Sequence, residues 1–160
     1  MTVEHLIVGG ATLFVVVLAV LLHYEASAVL SRFVGATRMP QRPRMLVLIF
    51  GLMTAHVAEI WLFAVGAWLL LGVGGTGHLA GAHATGLLDV VYVSATTYTT
   101  LGYGDFVPVG HLRFLFGMEA LTGLVLVTWS ASLTFLEMQR HWQEHPRARR
   151  DRDHAHDHDG

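Results

Sequence analysis

Three long apolar blocks constrain this chain more than any other feature. The first is "LIVGGATLFVVVLAVLL", Leu6 to Leu22; the second runs from Met45 to Val73 and the third from Leu112 to Met138. A bilayer span takes roughly 20 predominantly apolar residues, with about 17–25 tolerated, and backbone in hydrocarbon must satisfy its own hydrogen bonds. Each block is therefore expected to be a membrane-crossing helix. None contains proline; Pro40, Pro43, Pro108 and Pro146 all lie outside them, as unbroken helices require. Charged residues make up only 14% of the 160 residues, against about a quarter in a soluble domain. The fold class is an all-α membrane protein. At this length a transporter built from inverted repeats is not expected, and the absence of cysteine excludes disulfides, thiolate catalysis and Cys-containing zinc sites.

A fourth apolar piece, "LLDVVYVSATTYTT" from Leu87 to Thr100, follows the glycine-rich link "GVGGTGHLAGAHATG". Fourteen residues are too few to span, which suits a re-entrant helix that enters the membrane and returns. Arginine placement sets the orientation. Arg32, Arg38, Arg42 and Arg44 crowd the connection between the first two blocks, and Arg140, Arg147, Arg149, Arg150 and Arg152 follow the third; Gly74 to His111 holds none. By the positive-inside rule the connection and the tail are cytoplasmic, the re-entrant segment faces out, and the N-terminus is outside. A cleaved signal peptide ending at Ala26–Ala28 is the other reading of the first block, but no positive residue precedes the apolar run. A retained helix fits better.

After the short helix comes "TTLGYGD", Thr99 to Asp105. Non-helical backbone survives at membrane depth only where protein buries it or it lines an aqueous path. Carbonyls that all point to one axis replace the water around a dehydrated cation. Pointing successive carbonyls one way takes alternating backbone hands, which Gly102 and Gly104, alternating with Leu101 and Tyr103, supply cheaply. One copy cannot enclose an ion, so the site calls for several chains around an axis.

This stretch resembles the selectivity filter of potassium channels, and the helix–re-entrant loop–helix unit from Met45 to Met138 resembles the pore domain of their prokaryotic members. The resemblance implies four subunits and K+ as the permeant ion. The carbonyls of Thr100, Leu101, Gly102 and Tyr103 would form stacked K+ sites, with the Thr100 hydroxyl completing the innermost. Tyr103 would pack behind the filter and set its width. Asp105 would sit at the outer mouth, supported with Thr99 and Gly104. Leu101 stands where valine is commoner, Thr96 where some channels carry a glutamate that pairs with the filter acid, and Tyr92 and Val93 where some relatives have two tryptophans.

In the third block, Gly123 lies ten residues after Arg113, the place of the family's hinge glycine; close helix packing is the alternative role. The family register lines the pore with Leu124, Val127, Ala131 and Phe135, an apolar lining suited to a hydrophobic inner gate. The same register turns Glu119 towards the pore helix or outer helix.

"TAHVAEIW" places His56 and Glu59 near the middle of the second block, three residues apart and on one helical face. Ionisable groups at that depth face protein or water. Antiparallel helices would set His56 level with Thr128, Trp129 and Ser130, giving either an interhelical polar clamp or a proton-sensitive gating switch based on His56.

The tail "RARRDRDHAHDHDG" has nothing apolar to bury, so it reads as disordered. His154, His156 and His158 offer weak divalent-metal binding, and the arginines offer contact with anionic lipid heads.

The expected organisation is an extra N-terminal transmembrane helix at 1–28, a cytoplasmic arginine-rich connection at 29–44, a pore domain at 45–138 and a tail at 139–160. Within the pore domain, the outer helix is 45–73, the pore helix 86–98, the filter 99–105 and the inner helix 112–138. The expected function is passive K+ conduction across the cell membrane by a homotetramer, without enzymatic activity and with no nucleic-acid partner. Two other readings are a divalent-metal transporter or sensor using the histidine tail, and a non-conducting scaffold that keeps the filter fold. An intramembrane metalloenzyme on His56 and Glu59 lacks a second ligand pair on another helix.

Overall fold

The computed structural model describes residues 3–37, 40–81 and 86–156, with the backbone alone given for Gln41 and for 140–156. Four helices and one small sheet make up this part: α1 (Val3–Ala36), α2 (Gln41–Leu71), β1 (Gly77–Ala80), α3 (Leu87–Tyr98), β2 (Val107–Gly110) and α4 (Leu112–His156). Three helices are long and apolar enough to cross a membrane: α1, α2 from Arg42 and α4 as far as Gln139. The chain is an all-α membrane protein in which the one sheet has two short strands.

Helix α1 packs on α2 and α4, and α3 sits between α2 and α4. The buried positions of α1 are Val8, Thr12, Val15, Ala19, His23, Ser27 and Val34, a stripe at spacings of three, four or seven that faces the rest of the chain. Large apolar side chains such as Leu13, Phe14 and Leu21 point away from it and are exposed, as lipid-facing positions are. Small residues bring the helices together. A Cβ at Gly66 of α2 would stand 2.9 Å from Val15 Cγ2 of α1, and one at Gly51 would stand 2.7 Å from the Leu30 side chain.

The arginine-rich connection is much shorter than 29–44. Helix α1 runs to Ala36 and α2 starts at Gln41, because hydrophobic and small residues from Ala28 to Ala36 continue the helix past the end of the apolar block. Pro40 and Pro43 remain compatible with α2: Pro40 precedes it, and Pro43 lies in its first turn, where the missing N–H donor would have had no intrahelical acceptor. At its other end α4 is helical to His156, where disorder is expected from 139 on. Glutamate, glutamine, alanine and arginine are good helix formers that extend the turn already nucleated by the span, and the helix continues through Pro146 beyond the apolar block. The side chains of His154 and His156, and all of His158, lie outside the described residues.

The glycine-rich link carries structure that its composition hides. Strands β1 and β2 pair antiparallel, with Gly77 opposite Gly110 and Ala80 opposite Val107. Gly77 has φ 136° and a Cβ there would lie 2.0 Å from the Val109 carbonyl oxygen, so only glycine fits. Buried Thr76 donates its hydroxyl to the Leu70 carbonyl at 2.6 Å and accepts the Leu112 N–H on its carbonyl at 3.1 Å. The end of α2 is thereby tied to the start of α4. The beginning of α1 reaches the same face, where the His5 and His111 rings stand 4.1 Å apart.

Candidate functional site

Helix α3 positions the "TTLGYGD" segment. At its start the Asp89 carboxylate accepts the Gly86 N–H at 2.8 Å, which caps the helix and favours its positive end. At its finish the returning chain satisfies the last carbonyls: Thr100 N–H reaches Thr97 at 2.9 Å, and Leu101 and Gly102 N–H both reach Thr96 at 2.8 and 3.0 Å. The segment's N–H groups are thus bound back to α3. Helix α3 itself leans on α4 at one point, where a Cβ on Gly123 would lie 2.1 Å from the Tyr98 carbonyl oxygen. That close approach gives Gly123 a packing role within α4, which is one helix across this position.

Backbone hand alternates along the segment. Thr100, Gly102 and Gly104 have φ of 59°, 52° and 82°, while Leu101 and Tyr103 between them do not enter the positive region. The glycines adopt this at little cost, whereas Thr100 is a β-branched residue held where few such residues go. Leu101 and Tyr103 are exposed, at 55% and 68%, so most of each side chain is left uncovered by its own chain. The Thr99 hydroxyl donates to Ala95 and that of Thr96 to Val93, at 2.8 and 3.0 Å. Thr96 therefore holds the segment through its carbonyl, and its side chain stays within α3. Tyr92 instead lies beside the acid, near the Asp105 carboxylate, while its ring stands edge-on to Phe106 at 6.0 Å. Gly81, with φ 105°, lets the link pass against the Asp105 carbonyl.

On α4, Leu124, Val127, Ala131 and Phe135 share one exposed apolar face, with Thr122, Leu126, Ser130 and Glu137 buried on the opposite side. Glu119 is fully buried and hydrogen-bonded to the Ser94 hydroxyl of α3, with its Oε2 unpartnered among the described residues. No Arg113–Glu119 ion pair occurs among them. Near the opposite end of α4, Glu137 pairs with Arg44 of α2 at 2.7 Å.

The polar residues of α2 meet partners from every other helix. His56 Nε2 lies 3.0 Å from Ser130 Oγ on α4, and its Nδ1 lies 3.1 Å from Glu59 Oε2 and 2.9 Å from the Tyr98 hydroxyl on α3. Tyr98 also donates to Glu59. His23 of α1 completes the group: its Nδ1 stands 2.8 Å from Glu59 Oε1 and its Nε2 3.3 Å from Ser130 Oγ. Trp129 presents an edge to the His23 ring at 6.1 Å. Thr128 stays apart, donating to Leu124 of its own helix.

His23 is the residue that sequence reasoning missed. It sits one position beyond the apolar run ending at Leu22, where a polar side chain looks interfacial; its place in the buried stripe of α1, four residues past Ala19, was the available signal. Arg44 and Glu137 were each visible, but nothing in their spacing brought them together.

Residues 44–140 match the ion channel family. No curated protein and no solved structure matches the chain. Because the matched stretch covers more than half of the residues and contains α2, α3, the glycine segment and the membrane part of α4, the chain belongs to the ion channel family.

Proposed function

We propose that this chain forms a homotetrameric, K+-selective channel whose filter is Thr99–Asp105. The alternation of backbone hand at Thr100, Gly102 and Gly104 carries the reading. Residues of alternating hand turn successive carbonyls to one side, and a ring of such carbonyls from several chains stands in for the hydration shell of a cation. The carbonyls of Thr100, Leu101, Gly102 and Tyr103, with the Thr100 hydroxyl, are the proposed K+ ligands. The segment's N–H groups from Thr100 to Gly102 are already engaged with α3, which leaves the oxygens free for an ion.

Two exposed features support several copies around an axis. Tyr103 is largely exposed in its own chain, and a neighbouring α3 would cover it. The apolar face of Leu124, Val127, Ala131 and Phe135 would line the inner pore, where dewetting can close it without a charged plug. The C-terminal end of α3 would point its negative dipole at an ion below the filter. Asp105, beside Tyr92, would gather cations at the mouth. The arginines at Arg32–Arg44 and beyond Met138 put the outer mouth and the N-terminus outside.

Ion-dependent assembly tests this reading. Purified protein is heated in detergent with K+, Na+ or a large organic cation as the only salt, and its oligomer is resolved on a denaturing gel. A four-chain band that survives to higher temperature in K+ is expected, since an ion bound between chains stabilises only the assembled state. The same thermal profile in all three salts would contradict it.

A further inference from the structure

Two histidines on different helices point the same way at the centre of the chain. The Nδ1 atoms of His23 and His56 both turn to the Glu59 carboxylate, and their Nε2 atoms both turn to the single hydroxyl of Ser130. His23 and Glu59 are fully buried, and the side chain of His56 is 17% exposed. One ligand atom from each of His23, His56 and Glu59 lies within 4.8 Å of the others. We propose that His23, His56 and Glu59 form a binding site for a divalent transition-metal ion of the zinc class, with the Tyr98 hydroxyl at the fourth position.

Hydrogen counting calls for added positive charge here, either a proton on one imidazole or a metal ion. With both imidazoles neutral and their Nδ1 protons given to Glu59 and Tyr98, both Nε2 atoms are acceptors facing one hydroxyl, which carries one proton. One of those two contacts is then acceptor against acceptor. A metal on the Nδ1 side reverses the arrangement. Each ring then carries its proton on Nε2, and Ser130 Oγ accepts both with its two lone pairs. Metal-bound histidines almost always donate their other N–H to an oxygen in this way. The serine is therefore placed where a supporting acceptor for two metal-ligating histidines belongs.

Distances and charge agree with that assignment. Zinc takes nitrogen and oxygen ligands at about 2.0–2.2 Å, so neighbouring tetrahedral ligand atoms stand about 3.3–3.5 Å apart. The contacts at 2.8, 2.9 and 3.1 Å would each open by about 0.2–0.7 Å to admit the ion, and the Tyr98–Glu59 contact by more. A dication with the Glu59 carboxylate and a Tyr98 phenolate carries no net charge, as a site away from water demands; the phenol proton leaves to solvent when the metal enters. Two imidazole nitrogens exclude the oxygen-seeking Mg2+ and Ca2+ in favour of Zn2+, Co2+, Ni2+ or Cu2+. Tyr98 is the last residue of α3 and its carbonyl rests on Gly123, so an occupied site clamps α1 and α2 to the foot of the glycine segment. The site uses no filter atom and does not depend on what the pore conducts.

The test uses the full-length chain with the tail histidines His141, His145, His154, His156 and His158 changed to alanine, purified through a chelator. Co2+ is added as a spectroscopic probe, and Zn2+ by calorimetry. The expected result is one ion per chain, with the strong visible absorption of tetrahedral Co2+, displaced by Zn2+. His23→Gln removes a ligand and lowers Zn2+ affinity by at least about 100-fold, since loss of an outer-shell partner alone costs about 10–100-fold. Should His23→Gln fail to assemble, X-ray absorption at the zinc edge of the intact cluster decides: two imidazoles at about 2.0–2.1 Å are expected. No ion taken up, equal affinity in His23→Gln, or a shell of oxygens without imidazole would overturn the site and leave a hydrogen-bonded or protonated cluster.

Discussion

A Cβ on Gly123 would stand 2.1 Å from the Tyr98 carbonyl oxygen and 3.0 Å from the root of its ring. The obstruction is backbone as well as side chain, so neither group can swing aside without moving the end of α3. Gly123→Ala is expected to destabilise the folded chain by about 1–3 kcal/mol or more through overpacking, despite alanine's better helix propensity. Denaturant unfolding in mixed micelles, followed by helical circular dichroism, measures it. A gain in stability would mean that α3 does not rest there. Individual residues were unevenly legible in the sequence. Gly102, Gly104 and Asp105 stand in a motif whose spacing is itself the chemistry. Thr100's positive φ is imposed by the hydrogen bonds that draw the next two N–H groups onto Thr96, and no local preference of threonine announces it. The nearness of Tyr92 to Asp105 likewise needs the turn of chain between them to be folded before the two side chains approach.

Helices α1 and α2 meet through small residues, which fixes their separation closely enough to be tested covalently. The Cβ position of Gly66 lies 4.0 Å from Val15 Cβ, within the range a disulfide bridges, and the chain has no cysteine of its own. Val15→Cys with Gly66→Cys in one chain is expected to oxidise to a species that migrates as a single chain. Mixing the two single variants should give no linked dimer. Dimers from the mixture would mean that α1 docks on a neighbouring copy. At the far end of α4 the Arg44–Glu137 pair joins α2 to α4, with Glu137 buried and Arg44 partly exposed. Removing Arg44 takes an ion-pair partner from a buried carboxylate, so Arg44→Met is expected to cost about 1–3 kcal/mol, while adding Glu137→Leu restores much of the loss. A double-mutant cycle on unfolding free energy checks this, and a double variant no better than the single would contradict it. The spans were legible as elements because hydrophobic length is a property of the chain alone. The strands were not: "GHLA" and "VPVG" are four residues each, glycine- and proline-containing, and owe their pairing to the glycines that let Gly77 and Gly110 approach. The reach of α1 to Ala36 was hidden because arginines at a membrane surface mark sidedness without ending a helix.

For the molecule as a whole, two polar features occupy different depths of one helical frame. The glycine segment sits where α3 ends, and the cluster of His23, His56, Glu59 and Ser130 lies behind it, reached through Tyr98. The first follows from sequence because one short motif contains all of its groups. The second spans four helices, so it exists only once they pack. Family membership establishes an ion channel; selectivity is the central claim that remains to be measured. Reconstituted liposomes loaded with K+ or with Na+, run in parallel with the same protein density, test it most directly. Rapid K+ flux with far smaller Na+ flux is expected, as is loss of K+ flux in Gly102→Ala, whose added Cβ disfavours the backbone hand found there. Equal K+ and Na+ permeability, or no flux of either ion, would contradict it.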